Sequence, residues 1–398
     1  MQSKYLVMVE VGENNNKFYK MVSNGSTFTA TWGRIGNTNF QTKDYSIDEW
    51  DKILNSKLRK GYVDQTELVA EIVTPSKSGG YLDIAKKGIA EIVKRLQAYA
   101  KQAIEDNYTI SSSKVTQKMI DEAQVVLDEL SASKQVDDFN VYLLRLFRII
   151  PRKMKTVAEN MAQSKSDYKK IVEREQDLLD TMKGQVVQQD VVADDSNTVA
   201  EQKTILEALG LEFVDIEAED ERIIRENLRS VNNRLHCAWK VINRKTQSRF
   251  DSFVKQNNIA DKRLLWHGSR NENWWSIINL GLVLRPNATI TGKMFGNGIY
   301  FAPKAAKSIG YCSLSGSYWA NGRDPSGFMS LFNVAYGKPY IVRSFDGGYN
   351  GFGYDRLQQK MAGANSLHAM EGAGLRNDEI IVYKEEQVTI KYLVELKN

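Results

Sequence analysis

Three short segments in the last third of the chain concentrate the residues able to do chemistry. In Arg263-Leu-Leu-Trp-His-Gly-Ser-Arg270 an apolar strand delivers His267 to Gly268 and Ser269. Glycine at 268 removes a side chain, so a ligand can meet that backbone closely. In Thr291-Gly-Lys-Met-Phe-Gly-Asn-Gly-Ile-Tyr-Phe-Ala-Pro303, Gly292, Gly296 and Gly298 make a flexible loop. It leads into a strand with Tyr300, Phe301 and Ala302. The helix expected after Pro303 puts Lys307 and Tyr311 on one face, with Ser308 beside them. Two facing tyrosines, Tyr300 and Tyr311, would form a slot for a planar ring. In Asn377-Asp-Glu-Ile-Ile-Val-Tyr383, Glu379 opens an apolar strand and should sit at a sheet edge where a groove begins. Asp378, Glu385 and Glu386 read as solvated charges.

Each residue has a plainer reading. A histidine after a strand is usually structural, and Trp266, Trp274 and Trp275 read as core. Asn273 suits a turn or cap as well as a ligand contact. Gly296-Asn-Gly298 and Gly351-Phe-Gly353 begin like a dinucleotide fingerprint but lack the third glycine and a βαβ setting, so a dehydrogenase is not expected. The two cysteines, Cys237 and Cys312, form no CxxC or Cys/His cluster, and with only three histidines no metal site is expected. The net charge of +5 over 398 residues permits nucleic-acid contact without arguing for it. The apolar content of 42% is that of a soluble globular protein. No secretory leader or membrane span is read, and an intracellular location is expected.

The elements that must position these residues fall into three textures. Residues 1–73 read as short strands and turns followed by a helix from Asp48 to Lys60, with Trp50, Ile53, Leu54 and Leu58 on one face. A linker composition follows at 74–80. From Tyr81 to about Leu209 the pattern is helical: Leu82, Ala85, Ile89, Ile92, Leu96 and Tyr99 recur at helical spacing, as do Val115, Met119, Ala123, Val126 and Leu130. Pro151 closes an apolar helix, and 191–197 reads as a loop. Beyond Leu209, strands mix with short helices. The expected fold is multidomain α+β: a β-sheet module at 1–73, an all-α bundle at 80–209, and an α+β domain of antiparallel sheets at 210–398.

The three segments resemble the catalytic domain of the poly(ADP-ribose) polymerases over residues 210–398. Leu-Trp-His-Gly-Ser-Arg, Met-Phe-Gly-x-Gly-Ile-Tyr-Phe-Ala, Lys-Ser-x-x-Tyr-Cys and Glu-x-Ile-Val-Tyr occur in the family's order. Thr31-Trp32-Gly33-Arg34-Ile35-Gly36 resembles a WGR domain, and the helical stretch resembles the family's regulatory domain. The whole resembles the compact, DNA-dependent type without zinc fingers. The resemblance implies NAD+ as substrate, with His267 on the adenosine ribose and Gly268 and Ser308 holding the nicotinamide carboxamide. It implies Tyr300 and Tyr311 around the ring, Lys307 beside the reacting ribose, and Glu379 on a hydroxyl of that ribose. Ser269, Asn273, Phe301 and Ala302 are further donor-site candidates. A carboxylate suits the positive charge that develops on the ribose as nicotinamide leaves. For Trp32 and Arg34 the implied role is DNA contact, with Arg34 reaching phosphate or the helical domain. RNA or protein partners stay open. Partners implied are DNA strand breaks and protein or nucleic-acid acceptors, the chain itself among them, with no membrane. The location follows the source: the nucleus in a eukaryote, otherwise the cytoplasm or nucleoid. The helical domain is expected to obstruct NAD+ until DNA binds. Lys293, Asn297 and Val283-Leu-Arg285 depart from the family pattern, as does the acceptor-side segment 345–376. A mono-ADP-ribosyltransferase and a weakly catalytic DNA-end-binding scaffold are the alternatives.

Overall fold

A computed structural model describes residues 2–68, 81–108, 115–195, 203–284, 294–349 and 351–398, with the backbone alone for 187–195. The linker expected at 74–80, and Gly292, Lys293 and Arg285, lie outside the described residues. The described chain forms two compact units, one drawn from the segments before residue 69 and from 101 to 186, the other from 81–100 and the rest.

In the first unit β1 (Ser3–Glu10), β2 (Asn15–Asn24), β3 (Thr27–Arg34), β4 (Gln41–Ser46) and β5 (Val63–Asp64) form an antiparallel sheet in the order β4-β3-β2-β1-β5. Gly25 takes the positive φ of 68° at the tight β2–β3 turn, a conformation glycine adopts without steric cost. Strand alternation gives the sheet two apolar faces. Leu6, Tyr19, Met21, Phe28 and Ala30 pack with Trp50 of α1 (Trp50–Arg59), whereas Val7 and Val9 pack against helices. Leu58, expected on the buried face of α1, is exposed.

Those helices come from α2 (Lys87–Asn107) beyond residue 100, α3 (Gln117–Ala132), α4 (Val136–Ile149) and α5 (Tyr168–Asp195). The hydroxyl of Thr116 accepts from Met119 N at the start of α3, satisfying a donor the helix leaves open. Helix α4 ends before Pro151, as its ring requires. The loop expected from residue 191 is instead helix as far as Asp195. Extending an existing helix costs little, so a polar stretch without apolar spacing continues it.

The second unit contains α6 (Ile205–Leu209), β6 (Leu211–Asp215), α7 (Ala218–Leu228), β7 (Leu235–Asn243), α8 (Arg244–Gln256), β8 (Arg263–Gly268), α9 (Trp274–Leu280), β9 (Ile299–Phe301) and α10 (Ala305–Ile309). It continues through β10 (Ser326–Val334), β11 (Pro339–Val342), α11 (Tyr354–Lys360), β12 (Ser366–Ala369), β13 (Glu379–Val382) and β14 (Val388–Lys397). One sheet, in the order β6-β7-β14-β10-β8, is antiparallel throughout. The other, β11-β12-β13-β9, contains a parallel pair, β11 with β12, where only antiparallel pairing was expected. The connection through α11 supplies the crossover that parallel strands need. This makes the chain a mixed α+β protein. Trp266 and Ala302 join the two sheets through reciprocal backbone hydrogen bonds of 2.9 Å.

The helical segment contributes to both units. From the first half of α2, Ile89, Ile92, Val93, Leu96 and Ala100 share one buried cluster with Phe328 and Leu393 of the large sheet. Arg95 donates to both oxygens of Glu395, at 2.7 and 3.1 Å.

Candidate active site

Strand β8 is the edge of its sheet, so the side away from β10 is open to the Trp266–Ala302 bridge. That bridge brings His267 to β9, where its Nδ1 donates to the Tyr300 carbonyl oxygen at 3.0 Å. A carbonyl only accepts, so Nδ1 carries a hydrogen and Nε2 is turned away from this bond. Trp274, Phe301 and Phe332 wall the imidazole at 6.5, 5.9 and 6.0 Å between centroids.

Register then fixes Glu379. Tyr300 lies opposite Ile381 across β9 and β13, and Glu379 stands two residues before Ile381. With a side-chain period of two, Glu379 and Tyr300 occupy one face of the sheet. Burial, reinforced by the charge of Glu379, pushes the Tyr300 hydroxyl well above its usual range. That hydroxyl donates to Gly296 O and accepts from Phe295 N, both at 2.9 Å. Lys307 closes the group: its Nζ lies 2.6 Å from Glu379 Oε1 and donates to Asn377 O at 3.1 Å. Both charged side chains are about nine-tenths shielded from water, with 14% and 13% exposed.

The glycines have reasons the sequence did not show. A Cβ on Gly268 would stand 2.0 Å from the backbone oxygen of Ser308, so this glycine admits α10 against β8. Gly296, at φ 82°, and Gly298 were read as a flexible loop. Instead a Cβ at either would meet a neighbour at 2.2 Å, the Phe352 carbonyl or the Ile381 side chain. They are close-packing positions, conformationally fixed by what lies against them.

The remaining candidates divide. Ser308 is buried on α10, and Ser269 accepts from the Asn273 amide at 3.1 Å. Asn273 does not cap α9 with its side chain. Phe301 and Ala302 are buried, and the backbone N–H and C=O of Ala302 are both taken up by Trp266. Trp266, Trp274 and Trp275 are core. Helix α10 ends at Ile309, and Tyr311 follows in its closing turn, where Tyr311 N donates to Ser308 O at 3.1 Å. It is exposed and stacks on Trp319.

Two charges read as solvated are tied down. Asp378 accepts from His368 Nε2 and from Glu371 N, both at 2.8 Å. Burial opposes its ionisation, but these bonds hold its carboxyl below the usual range. Glu385 accepts from Leu284 N at 2.8 Å. His368, whose Nδ1 meets the Tyr336 hydroxyl at 2.9 Å, and Trp319 escaped the sequence reading. A paired Tyr318-Trp319 inside a turn-rich segment was the available signal for the second.

In the first unit Trp32 stacks on Tyr19 at 5.6 Å, and Lys57 lies 3.9 Å over the Tyr19 ring. Of the two partners expected for Arg34, the structure has the helical one. Its guanidinium donates to Lys155 O at 2.8 Å and Met154 O at 3.4 Å, besides two acceptors on Asn14. Among the described residues no group of three or more His, Cys, Asp or Glu could hold a metal ion, and no helix is long and apolar enough to cross a membrane.

Comparison with known proteins agrees with this geometry. Residues 2–69 match the WGR domain family, and residues 212–347 match the poly(ADP-ribose) polymerase catalytic domain. A protein of Invertebrate iridescent virus 6, the putative poly [ADP-ribose] polymerase-like 100L, is 32% identical over 159 residues, covering 38% of this chain and 80% of the viral one. A second protein of that virus, the uncharacterized 101L, is 34% identical over 185 residues, covering 46% and 76%. Poly [ADP-ribose] polymerase 1 of Danio rerio is 20% identical over 99% of this chain, which spans 45% of that longer protein. The second unit thus holds the catalytic domain of an ADP-ribosyltransferase. The chain belongs to the poly(ADP-ribose) polymerase family. Glu379 lies outside the matched residues 212–347, and its ion pair with Lys307 ties it to them.

Proposed function

We propose that the chain transfers ADP-ribose from NAD+ to protein acceptors, itself included, that it builds polymer, and that DNA strand breaks stimulate it. The observation that carries this reading is the convergence of His267, Tyr300, Lys307 and Glu379 through one hydrogen bond, one strand register and one ion pair. Nicotinamide stacks on Tyr311, with its carboxamide on Gly268 and Ser308, and His267 Nε2 accepts from a hydroxyl of the adenosine ribose. The bond from the ribose anomeric carbon to nicotinamide breaks, and its electron pair leaves with the neutral ring. Glu379 stabilises the positive charge on the sugar and accepts from a ribose hydroxyl. The acceptor hydroxyl, polarised by Glu379, bonds through its oxygen to the anomeric carbon and releases its proton to solvent. Lys307 holds the Glu379 carboxylate in place.

The WGR unit supplies the DNA contact. Burial, then the charges of Lys60 and Lys17, depress the Lys57 ammonium below its usual range. Three lysines that repel one another gain by meeting phosphate. Trp32 on Tyr19 gives an aromatic surface beside them.

The test is incubation with labelled NAD+, with and without nicked DNA, followed by electrophoresis. A ladder that depends on DNA is expected. A single shifted band would reduce the reading to mono-ADP-ribosylation, and no incorporation would overturn it.

A further inference from the structure

The segment after Tyr311 carries an indole that the donor slot described above does not use. Trp319 is 63% exposed, while Trp50, Trp239, Trp266, Trp274 and Trp275 are buried and Trp32 is half-buried. Leaving that much apolar surface in water costs free energy unless the ring serves something. Its position is fixed from several sides. Ser315 N donates to Asp324 O at 2.8 Å, and Gly322 N donates to Ser317 O at 3.2 Å, closing the loop on itself. Trp319 N and Ala320 N both donate to Gly310 O, at 2.8 and 2.9 Å, which fastens the loop to the end of α10. A Cβ on Gly310 would stand 2.8 Å from Trp319 Cδ1, so the indole lies against the backbone just before Tyr311. Tyr318 meets the indole edge-on at 4.8 Å. The indole and the Tyr311 ring lie 6.3 Å apart with their planes within 18° of parallel.

Tyr311 itself is 43% exposed and lies past the end of its helix, so the helix alone does not set its ring. We propose that Trp319 is a positioning residue of the donor slot: it holds the Tyr311 ring in the orientation on which the flat ring of NAD+, or of a benzamide, stacks. This rests on the reading of Tyr311 as the stacking partner. A stacked aromatic pair contributes enough to change affinity by roughly 2- to 10-fold. Most of that should appear in ground-state binding, because the indole acts on the donor ring through Tyr311 and not on the reacting carbon.

The experiment uses the full-length chain and benzamide as the probe. Benzamide inhibition constants, KM for NAD+ and kcat are measured for wild type, Trp319→Ala, Trp319→Phe, Tyr311→Ala and the Tyr311→Ala, Trp319→Ala double variant. Trp319→Ala should weaken benzamide and raise KM by roughly 2- to 10-fold, with kcat at saturating NAD+ unchanged. Trp319→Phe should recover most of the loss, and Trp319→Ala should add nothing in the Tyr311→Ala background. If Tyr311→Ala leaves benzamide affinity intact, the donor-slot reading fails and takes this role with it. If Tyr311→Ala weakens benzamide and Trp319→Ala does not, the slot stands and only the role of Trp319 falls. A full additive loss in the double variant would mean that Trp319 contacts the ligand itself, which also overturns the positioning role.

Discussion

Replacing Glu379 with glutamine keeps its shape and removes its charge, so it separates electrostatics from geometry at the reacting ribose. Turnover should fall by roughly 10²- to 10³-fold, the scale for losing a partner of transition-state charge. NAD+ binding should hold within a few fold, because a transition-state interaction appears chiefly in kcat. Near wild-type incorporation of labelled ADP-ribose would remove Glu379 from the chemistry. Gly268→Ala tests the neighbouring contact. Its new methyl would face the Ser308 carbonyl at 2.0 Å, and backbone cannot rotate away as a side chain can. The expected result is a loss of about 1–3 kcal/mol in stability with a displaced α10. Because α10 carries Lys307 and Ser308, KM and kcat should both worsen; calorimetry together with steady-state rates checks this.

Helix α2 makes the clearest case among the elements, since its first half packs into the catalytic unit through Ile89, Ile92, Val93 and Leu96. Arg95 clamps it there on Glu395, which is 1% exposed. Arg95→Ala should cost about 1–3 kcal/mol in denaturant unfolding, a range discounted for the half-exposed guanidinium. The pH dependence has a definite sign. Burial works against ionisation of Glu395, but hydrogen bonds from Arg95 and Ser326 hold its carboxyl below the usual range. A depressed folded-state value contributes stability that is present above the unfolded value, about 4.3, and is lost as pH falls through the folded one. The difference between wild type and Arg95→Ala should therefore be full near neutral pH and shrink in acid. A gap in Tm that stays constant down to about pH 3 would show that Arg95 acts by packing alone.

For the whole molecule, the division into two units changes what can be learned by cutting the chain. A fragment of residues 210–398 loses the α2 residues its core buries and leaves Glu395 without its arginine. It should expose an apolar face and aggregate, so low activity in that fragment says nothing about autoinhibition. Stimulation by DNA is better tested on the full chain. Lys17→Ala combined with Lys57→Ala should weaken the response to nicked DNA and flatten its dependence on salt, while leaving the turnover without DNA as it was. An unchanged DNA response at every salt concentration would move the DNA contact away from this face. Arg34→Ala is a poorer probe, because it breaks four hydrogen bonds inside the first unit.

Much of this protein was legible in contiguous residues. The apolar run into His267, the strand at Tyr300, the strand opened by Glu379, and the stop at Pro151 are all local patterns of periodicity and turn chemistry, which a linear sequence records directly. Family motifs depend on the same short spacings. What the sequence did not record are contacts set by register and close approach. The Lys307–Glu379 pair exists because β9 and β13 pair in one register, and a slip of one residue would turn Glu379 to the other face. Gly268 answers to the Ser308 carbonyl, Arg34 to carbonyls at 154 and 155, and Tyr311 to an indole in the following loop. The first half of α2 belongs with the catalytic sheet although its pattern matches the helices after it. Periodicity tells a helix which face to bury, and only the packed chain decides against what.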